Sequence, residues 1–303
     1  MFSYEAIKDR PTLLLAMTSL TQPEFEALAT TFQQVWDAYI RQEVHLRPNR
    51  QRQPGGGQLA STLVLIEDKL LFILYYLKAY PLQEILAFEF NMAQSTANAW
   101  IHLLKPILQD ALDRSGFLPE RDPGSAETAL DVSRDQQYGI DGTERRRQRP
   151  SDTAAQKDYY SGKKKAHTLK NVIIAGLGTR TVAYLSPTVS GRIHDKTLAE
   201  QEAIQYPAPI DLYQDTGFQG YAPAGVHVHQ PTKKPKGKAL SPEQHAKNTV
   251  IASIRIGIEH IIAGIKRCRI VKEVFRNTKR DFDDAVMELA CGLHNFRMYH
   301  RYS

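Results

Sequence analysis

Apolar residues mark out the first part of the chain at helical spacing. Phe25, Leu28, Phe32, Val35, Trp36 and Tyr39 recur every three or four positions, the signature of one helix face turned to a core. Thr21 followed by Glu24 fits a capping box, and Pro23 suits the first turn, so residues 1–45 read as helical. The segment Arg47–Gln58 is polar, with two Pro and three consecutive Gly, and reads as a linker. Apolar density then returns over Ser61–Tyr80, a buried helix. Pro81 begins a second helix, PLQEILAFEF, the break NMAQ follows, and STANAWIHLLKPIL makes a third, starting at a Ser95 cap.

The last two of these have helix-turn-helix spacing. Ala87 and Ala97 are small where the helices cross. Asn91 stands where the turn needs a left-handed backbone, which Asn tolerates better than most residues. Gln94, Ser95, Thr96 and Asn98 are expected to face outward at the start of the third helix, where their side chains suit base edges and phosphates. A short structural three-helix bundle has the same pattern.

Past the Pro/Gly/charge connection at 115–128 the period changes to strands. YGIDGTER forms one. Lys165–Gly178 and Thr181–Gly191, rich in β-branched residues and joined through a Gly-bearing turn, form a hairpin. Arg192–Gln205 reads as a helix, Pro209–Asp215 as a short strand, Ser241 to about Arg267 as a long helix opened by Ser-Pro, and Arg280–Tyr299 as a last helix. This order predicts an α/β domain with helices covering a mixed sheet. The expected domains are 1–58 (helical segment and linker), 59–118 (helix-turn-helix) and 125–303 (catalytic).

Charge sharpens this division. Of the net +6, residues 1–120 contribute about −3 and residues 121–303 about +9, so the positive excess accompanies the strand-rich half. A basic domain suits a polyanion partner, although a solvated basic surface has the same composition. The two cysteines, Cys268 and Cys291, fall in apparent helices without metal-ligand spacing, which fits a reducing compartment and no zinc site. The N-terminus has no signal pattern, and the apolar run Leu70–Leu77 is too short to span a bilayer. The expectation is a soluble cytoplasmic, nucleoid-associated protein with no membrane partner.

Three carboxylates carry the chemistry. Asp141 is followed by Gly-Thr and Asp215 by Thr-Gly, read as sharp exits that leave an acid at a strand end. Glu259 sits mid-helix among Ile256, Ile258, Ile261 and Ile262, a poor place for an unpartnered charge. Arg255 and Lys266 lie about 40° and 20° from the Glu259 direction on a helical wheel, so the three share a face. An ordinary i,i+4 Arg–Glu pair is the plainer reading of that face taken alone. Together the three acids suggest a cradle for two divalent ions acting on DNA phosphates, since phosphodiester cleavage needs an activated oxygen nucleophile and charge relief on the leaving oxygen. Magnesium prefers such oxygen ligands.

These blocks resemble the bacterial insertion-sequence DDE transposases, of the insertion-sequence-five type related to Harbinger-like superfamily endonucleases. DGTERRRQRP with QKDYYSGKKKAHTLKN resembles the family's first catalytic block, GRIHDKTL and YQDTGFQGY its second, and Arg255, Glu259 and Lys266 its R-x3-E-x6-K signature. The family's tyrosine three residues before the arginine is Ala252 here. The resemblance covers roughly residues 60–300. It implies an RNase H-like core, two Mg2+ ions (Mn2+ as a possible substitute) held by Asp141, Asp215 and Glu259, and cleavage at transposon ends followed by strand transfer. It also implies double-stranded DNA partners, both terminal inverted repeats and target. Two ends must be cut and joined together, so a homodimer or higher assembly is expected.

Further basic residues flank the first acid. Arg145, Arg146, Arg147, Arg149, Lys163, Lys164 and Lys165, with Tyr159 and Tyr160, suit backbone contact and base stacking, or form a solvated hairpin face. Asp195 starts a helix and reads as an N-cap rather than a ligand. Asp211 shares the strand of Asp215 without the glycine exit. Asp131 and Asp135 precede the first strand, and the histidines form no ligand spacing. Two other functions stay open: a DNA-binding regulator derived from such an element, and a nuclease without strand transfer.

Overall fold

The computed structural model describes residues 2–46, 62–133, 135–207, 209–237 and 239–302. The linker Arg47–Gln58 and Lys238 lie outside them. The chain divides into two compact units: Met1–Leu118 with Arg267–Ile270 and Tyr299–Arg301, and Pro119–Lys266 with Val271–Met298 and Tyr302–Ser303.

The first unit is helical: α1 (Tyr4–Ile7), α2 (Pro11–Thr18), α3 (Gln22–Leu46), α4 (Ile66–Ala79), α5 (Gln83–Glu89) and α6 (Gln94–Arg114). The stripe read from the sequence buries Phe25, Leu28, Phe32 and Val35 of α3, and α4 buries Leu70 to Leu74. The α3 capping residue Glu24 accepts from the Thr21 N–H at 2.7 Å. The same carboxylate is gripped by Arg301 through Nε at 2.6 Å and Nη2 at 3.0 Å. Lys69 is buried in an apolar helix, so its ammonium donates to the Val64 carbonyl at 2.7 Å and lies 4.9 Å from the Trp36 ring centroid.

Between α5 and α6 the turn has the conformation expected from Asn91, whose φ is 53°. The Met92 N–H closes it on the Ala87 carbonyl at 2.9 Å. Ala87 and Ala97 are both buried at this crossing. Two details differ from the sequence reading. The N-cap of α6 is Ala93, not Ser95, so α6 opens without a side-chain cap. The second helix begins at Gln83, after an extended Leu82, rather than at Pro81.

The second unit holds α7 (Ala126–Ser133), β1 (Gln137–Arg146), α8 (Thr153–Tyr159), β2 (Tyr160–Ser161), β3 (Ala166–Gly176), β4 (Val182–Leu185), β5 (Val189–Ser190), α9 (Asp195–Glu202), β6 (Ile210–Tyr213), β7 (Val226–His229), α10 (Pro242–Ile265) and the body of α11 (Phe282–Tyr302). Among the described residues seven strands make one mixed sheet in the order β2-β3-β1-β6-β7, with β4 and β5 also on β3. β1 pairs antiparallel with β3 and parallel with β6. The alternation of β1 sends Tyr138 and Ile140 into a core with Val172, Ile174, Leu198, Leu212 and Phe218, shared with α7 and α9. Gly139 meets α10. α11 clamps the β4 edge, where Asn295 accepts from the Val182 N–H at 2.8 Å and donates to its carbonyl at 2.9 Å.

Four short elements, α7, α8, β2 and β7, were not expected from the pattern, and α7 takes the residues from about 129 to Ser133 that read as strand, so β1 begins only at Gln137. Asp135 is structural, since its carboxylate accepts from the Gly178 and Thr179 N–H groups and ties the β3–β4 turn. Cys268 lies in the bend after α10, not in a helix, and both cysteines are buried and outside any disulfide. Among the described residues α10 is the one helix with the length and apolar composition of a membrane span. It opens with a capping box of Ser241 and Gln244 and buries Ile251, Ile258, Ile261 and Ile265 within its unit.

Candidate active site

The parallel register of β1 and β6 sets the first two acids side by side. Gly139 pairs with Tyr213, so Asp141 and Asp215 each stand two residues further on, at the carboxyl end of the pair. Asp215 marks a true exit: β6 has ended, and its Oδ1 caps the 3-10 turn Thr216–Phe218 by accepting from the Gly217 N–H at 2.7 Å. Asp141 does not. β1 runs on to Arg146, with Gly142 paired to Val172 in mid-strand, and Asp141 Oδ1 accepts from the Gly142 N–H at 2.8 Å. The glycine is needed for another reason. A Cβ on Gly142 would lie 2.5 Å from Asp195 Oδ1, and one on Gly217 would lie 3.1 Å from Asp195 Oδ2. Asp195 thus wedges one carboxylate against the residues that follow Asp141 and near Asp215.

The N-cap reading of Asp195 is therefore corrected. His194 occupies the N-cap of α9, and Asp195 turns inward. Its Oδ1 is 2.8 Å from Lys170 Nζ, and the same ammonium is 3.4 Å from Glu144 Oε1 and donates to the Ile193 carbonyl at 2.6 Å. Lys170, on a strand buried along most of its length, offsets the acids around it. A lysine inside the apolar run LKNVIIAG was the signal in the sequence that a buried anion faces it.

Glu259 reaches the site through close helix–strand packing. A Cβ on Gly139 would be 3.0 Å from the Ile258 Cβ, so α10 lies directly on β1 two residues before Asp141. Glu259 is exposed rather than buried among its isoleucines, since Ile256 beside it also faces solvent. A cleft of about 200 Å³ is lined by Asp141, Thr143, Glu144, Glu259, Lys163, Lys164 and Lys266. Among the described residues Glu259 has no ion-pair partner, so the ordinary Arg255–Glu259 pair does not form; Arg255 instead acts on Asp141.

The electrostatics follow from this crowding. Burial first, then the Asp215 and Asp195 carboxylates, push the Asp141 carboxyl up to about 6, against the opposing pull of Arg255 and the Gly142 N–H. Burial, then Lys164, holds Lys266 below the usual lysine range, with Asp141 pulling the other way.

The other expected contact residues divide. Lys163, Lys164 and Lys266 line the cleft, and Lys165 is exposed beside them with a left-handed φ of 48°. Arg147 is half-buried with its guanidinium 3.9 Å from the Tyr159 ring centroid. Arg145 is corrected: it is buried, its Nη1 donates to Asn171 Oδ1 and its Nη2 to Thr188 Oγ1 at 3.0 Å and the Asp283 carbonyl at 2.8 Å. It shares the β1 face of Asp141 and Thr143 but is covered by Thr188 and the start of α11, so it ties these elements together and presents nothing to a ligand. In the first unit Gln94 and Ser95 are exposed and Asn98 is half-buried, but Thr96 is buried against the helical core and does not face outward. Gln83 Oε1 accepts from both Gln94 at 2.6 Å and Asn98 at 3.1 Å.

Residues 140–295 match the family model "DDE superfamily endonuclease", and residues 62–114 match "Helix-turn-helix of DDE superfamily endonuclease". The chain is 26% identical over 279 residues, 92% of its length and 96% of the relative's, to "Probable transposase for insertion sequence element IS702" of Microchaete diplosiphon. No solved structure matches.

Endonucleases of this superfamily depend on divalent metal. Among the described residues no three His, Cys, Asp or Glu side chains gather tightly enough to hold one ion. The donors come instead as pairs, Asp141 beside Asp215 and Asp141 across the cleft from Glu259. All are hard oxygen ligands, and the repulsion from Asp215 and Asp195, which adds to burial in lifting the Asp141 carboxyl, is what a cation would relieve. The residues present fit the group. The family models cover α4 to α6 and the sheet that carries the acids, and the chain belongs to the DDE superfamily endonucleases.

Proposed function

We propose that the chain is a DNA transposase that nicks the terminal inverted repeats of its element and joins the freed 3′-hydroxyl to target DNA, with Asp141, Asp215 and Glu259 as its metal-holding carboxylates. The observation that carries this reading is that Asp141 and Glu259 line one cleft rimmed by Lys163, Lys164 and Lys266, with Asp215 raising the Asp141 carboxyl. Two magnesium ions, with manganese as a substitute, would supply activation of the attacking oxygen and charge relief on the leaving one.

The chain's own residues do the rest. Lys163 and Lys164, exposed on the β2–β3 turn, draw the phosphate backbone to the cleft, and Lys266 faces it from the end of α10. Arg255 tempers the charge on Asp141. Asp195, fixed by Lys170, keeps the chain beyond each of the first two acids in place. Water and the 3′-hydroxyl attack in turn at the same site by in-line displacement, with no covalent protein intermediate. The helix-turn-helix at 59–118 recognises the inverted repeats, residues 125–303 form the catalytic domain, and two copies at least hold the two ends. The protein works where its DNA is, in the cytoplasm.

A joining assay with precut element ends, a supercoiled target plasmid and magnesium tests the reading. The expected result is a joined product that Asp141→Asn, Asp215→Asn and Glu259→Gln each abolish. Cleavage without joining would reduce the reading to a nuclease, and activity surviving Asp141→Asn would remove the site.

A further inference from the structure

A second concavity, of about 790 Å³, opens beside the acidic cleft. Its lining includes Arg149, Lys157, Tyr160, Gly162, His167 and Arg192. We propose that it holds an unpaired nucleotide of the DNA strand whose neighbouring phosphate lies in the acidic cleft, an inference that rests on the reading of the chain as a DNA-processing enzyme.

Position argues for it first. Gly162 lines this pocket, and the next two residues, Lys163 and Lys164, line the cleft of Asp141 and Glu259. One residue step, about 3.8 Å, separates the two linings. A strand drawn to the cleft by these lysines therefore has its adjacent nucleotide at the pocket mouth.

Charge argues for it next. The pocket gathers three cations with little to neutralise them. Arg149 donates to the neutral amide of Gln156 at 2.7 Å. Arg192 meets Asp158 only at 3.9 Å, both side chains two-thirds exposed. Among the described residues Lys157 has no acidic partner.

The aromatic group selects the form of the ligand. Tyr160 is 45% exposed, and His167 meets it edge-to-face at 5.7 Å. The tyrosine ring thus stands open to the pocket and is steadied by a second ring. A base inside a duplex has both faces covered by its neighbours, so only an unstacked one can lie on this ring. The volume lies in the range of small-ligand sites, roughly 300–1,000 Å³, and accommodates a nucleotide.

The test uses the full chain in EDTA, so that no cleavage occurs. Fluorescence anisotropy compares a blunt DNA duplex with the same duplex carrying a single-stranded overhang of about six nucleotides, at either 3′ or 5′ ends. The wild-type protein is expected to bind one overhang probe several-fold more tightly than the blunt one. Tyr160→Ala should lower affinity for that probe by about 5- to 150-fold, the range of a lost base–aromatic stack, and leave blunt binding unchanged. Unchanged blunt binding also reports an intact fold. Tyr160→Phe should retain the preference. Arg192→Gln should weaken overhang binding and reduce its salt slope by about 1. Equal wild-type affinity for blunt and overhang probes would overturn the pocket alone, as would equal losses from Tyr160→Ala and Tyr160→Phe. Failure to bind any probe would overturn the transposase reading with it.

Discussion

Gly139 and Ile258 meet so closely that a Cβ on the glycine would lie 3.0 Å from the Cβ and 3.1 Å from the Cδ1 of the isoleucine. This contact brings together the strand that carries Asp141 and the helix that carries Glu259. Gly139→Ala must push α10 outward or force Ile258 off its rotamer, at a cost of about 1–3 kcal/mol. The expected outcome is a folded protein with a lowered melting temperature and weakened divalent-metal binding, measured by calorimetric titration. A lowered melting temperature with unchanged metal affinity would mean that Glu259 is not positioned through this contact.

Asp195 and Gly142 form a second close pair, with the carboxylate pinned by Lys170 and so unable to swing away cheaply. Gly142→Ala should destabilise the protein and weaken metal binding at Asp141. Removing the obstructing oxygens by Asp195→Ala in the same chain should restore part of the lost stability. A double-mutant cycle read by urea denaturation is expected to give a coupling of about 0.5–3 kcal/mol. Additive losses would show that the two residues do not press on each other.

The Asp141 carboxyl, raised to about 6 by burial and by Asp215 and Asp195, predicts two opposite trends with pH. A folded-state value above the unfolded one means that the native metal-free protein holds the proton more tightly than the unfolded chain. Its contribution to stability therefore grows as pH falls through 6 toward about 4, the unfolded value. Metal needs the carboxylate, so metal affinity should fall over the same interval. Denaturation curves with EDTA and metal titrations, both at pH 7.5, 6.5 and 5.5, measure the two trends. Asp141→Asn should remove the rise in stability. A metal affinity flat between pH 7.5 and 5.5 would contradict the assignment.

The fold was legible where local pattern and tertiary environment agree. The α3 stripe, the β3–β4 hairpin and the Ser-Pro start of α10 each state their structure within a few residues. Asn91 announced its own backbone conformation. The short elements α7, α8 and β7 did not, because two turns of helix or four residues of strand take their stability from packing partners far away in sequence. The same limit explains Gly142. As a neighbour of Asp141 it read as a strand exit, yet the demand for glycine comes from Asp195, more than fifty residues later. Arg145, taken with its basic neighbours, read as a surface cation, and what buries it is Thr188 and the start of α11, both far away in sequence. Asp195 itself carried the pattern of a helix start, and what turns it to another use is Lys170 on β3.

The helix-turn-helix yields the last test, because its four expected contact residues are not equivalent. Gln94 and Ser95 are exposed at the start of α6, while Thr96 is buried. Gln83 fixes Gln94 and Asn98 through one amide oxygen, at 2.6 and 3.1 Å, so these polar groups are ordered before any ligand arrives. If this helix start reads DNA, Gln94→Ala should cost about 1–3 kcal/mol of discrimination at one base pair and leave affinity for a scrambled duplex almost unchanged. Gln83→Ala should have a smaller effect of the same kind, since it frees the reading side chains without removing them. Thr96→Val, which alters only a buried hydroxyl, should move the melting temperature and not the DNA affinity. Anisotropy competition between the element's terminal repeat and its scrambled version measures all three. Loss of discrimination from Thr96→Val equal to that from Gln94→Ala would mean that the exposed start of α6 is not the reading surface, and that end recognition lies elsewhere in the chain.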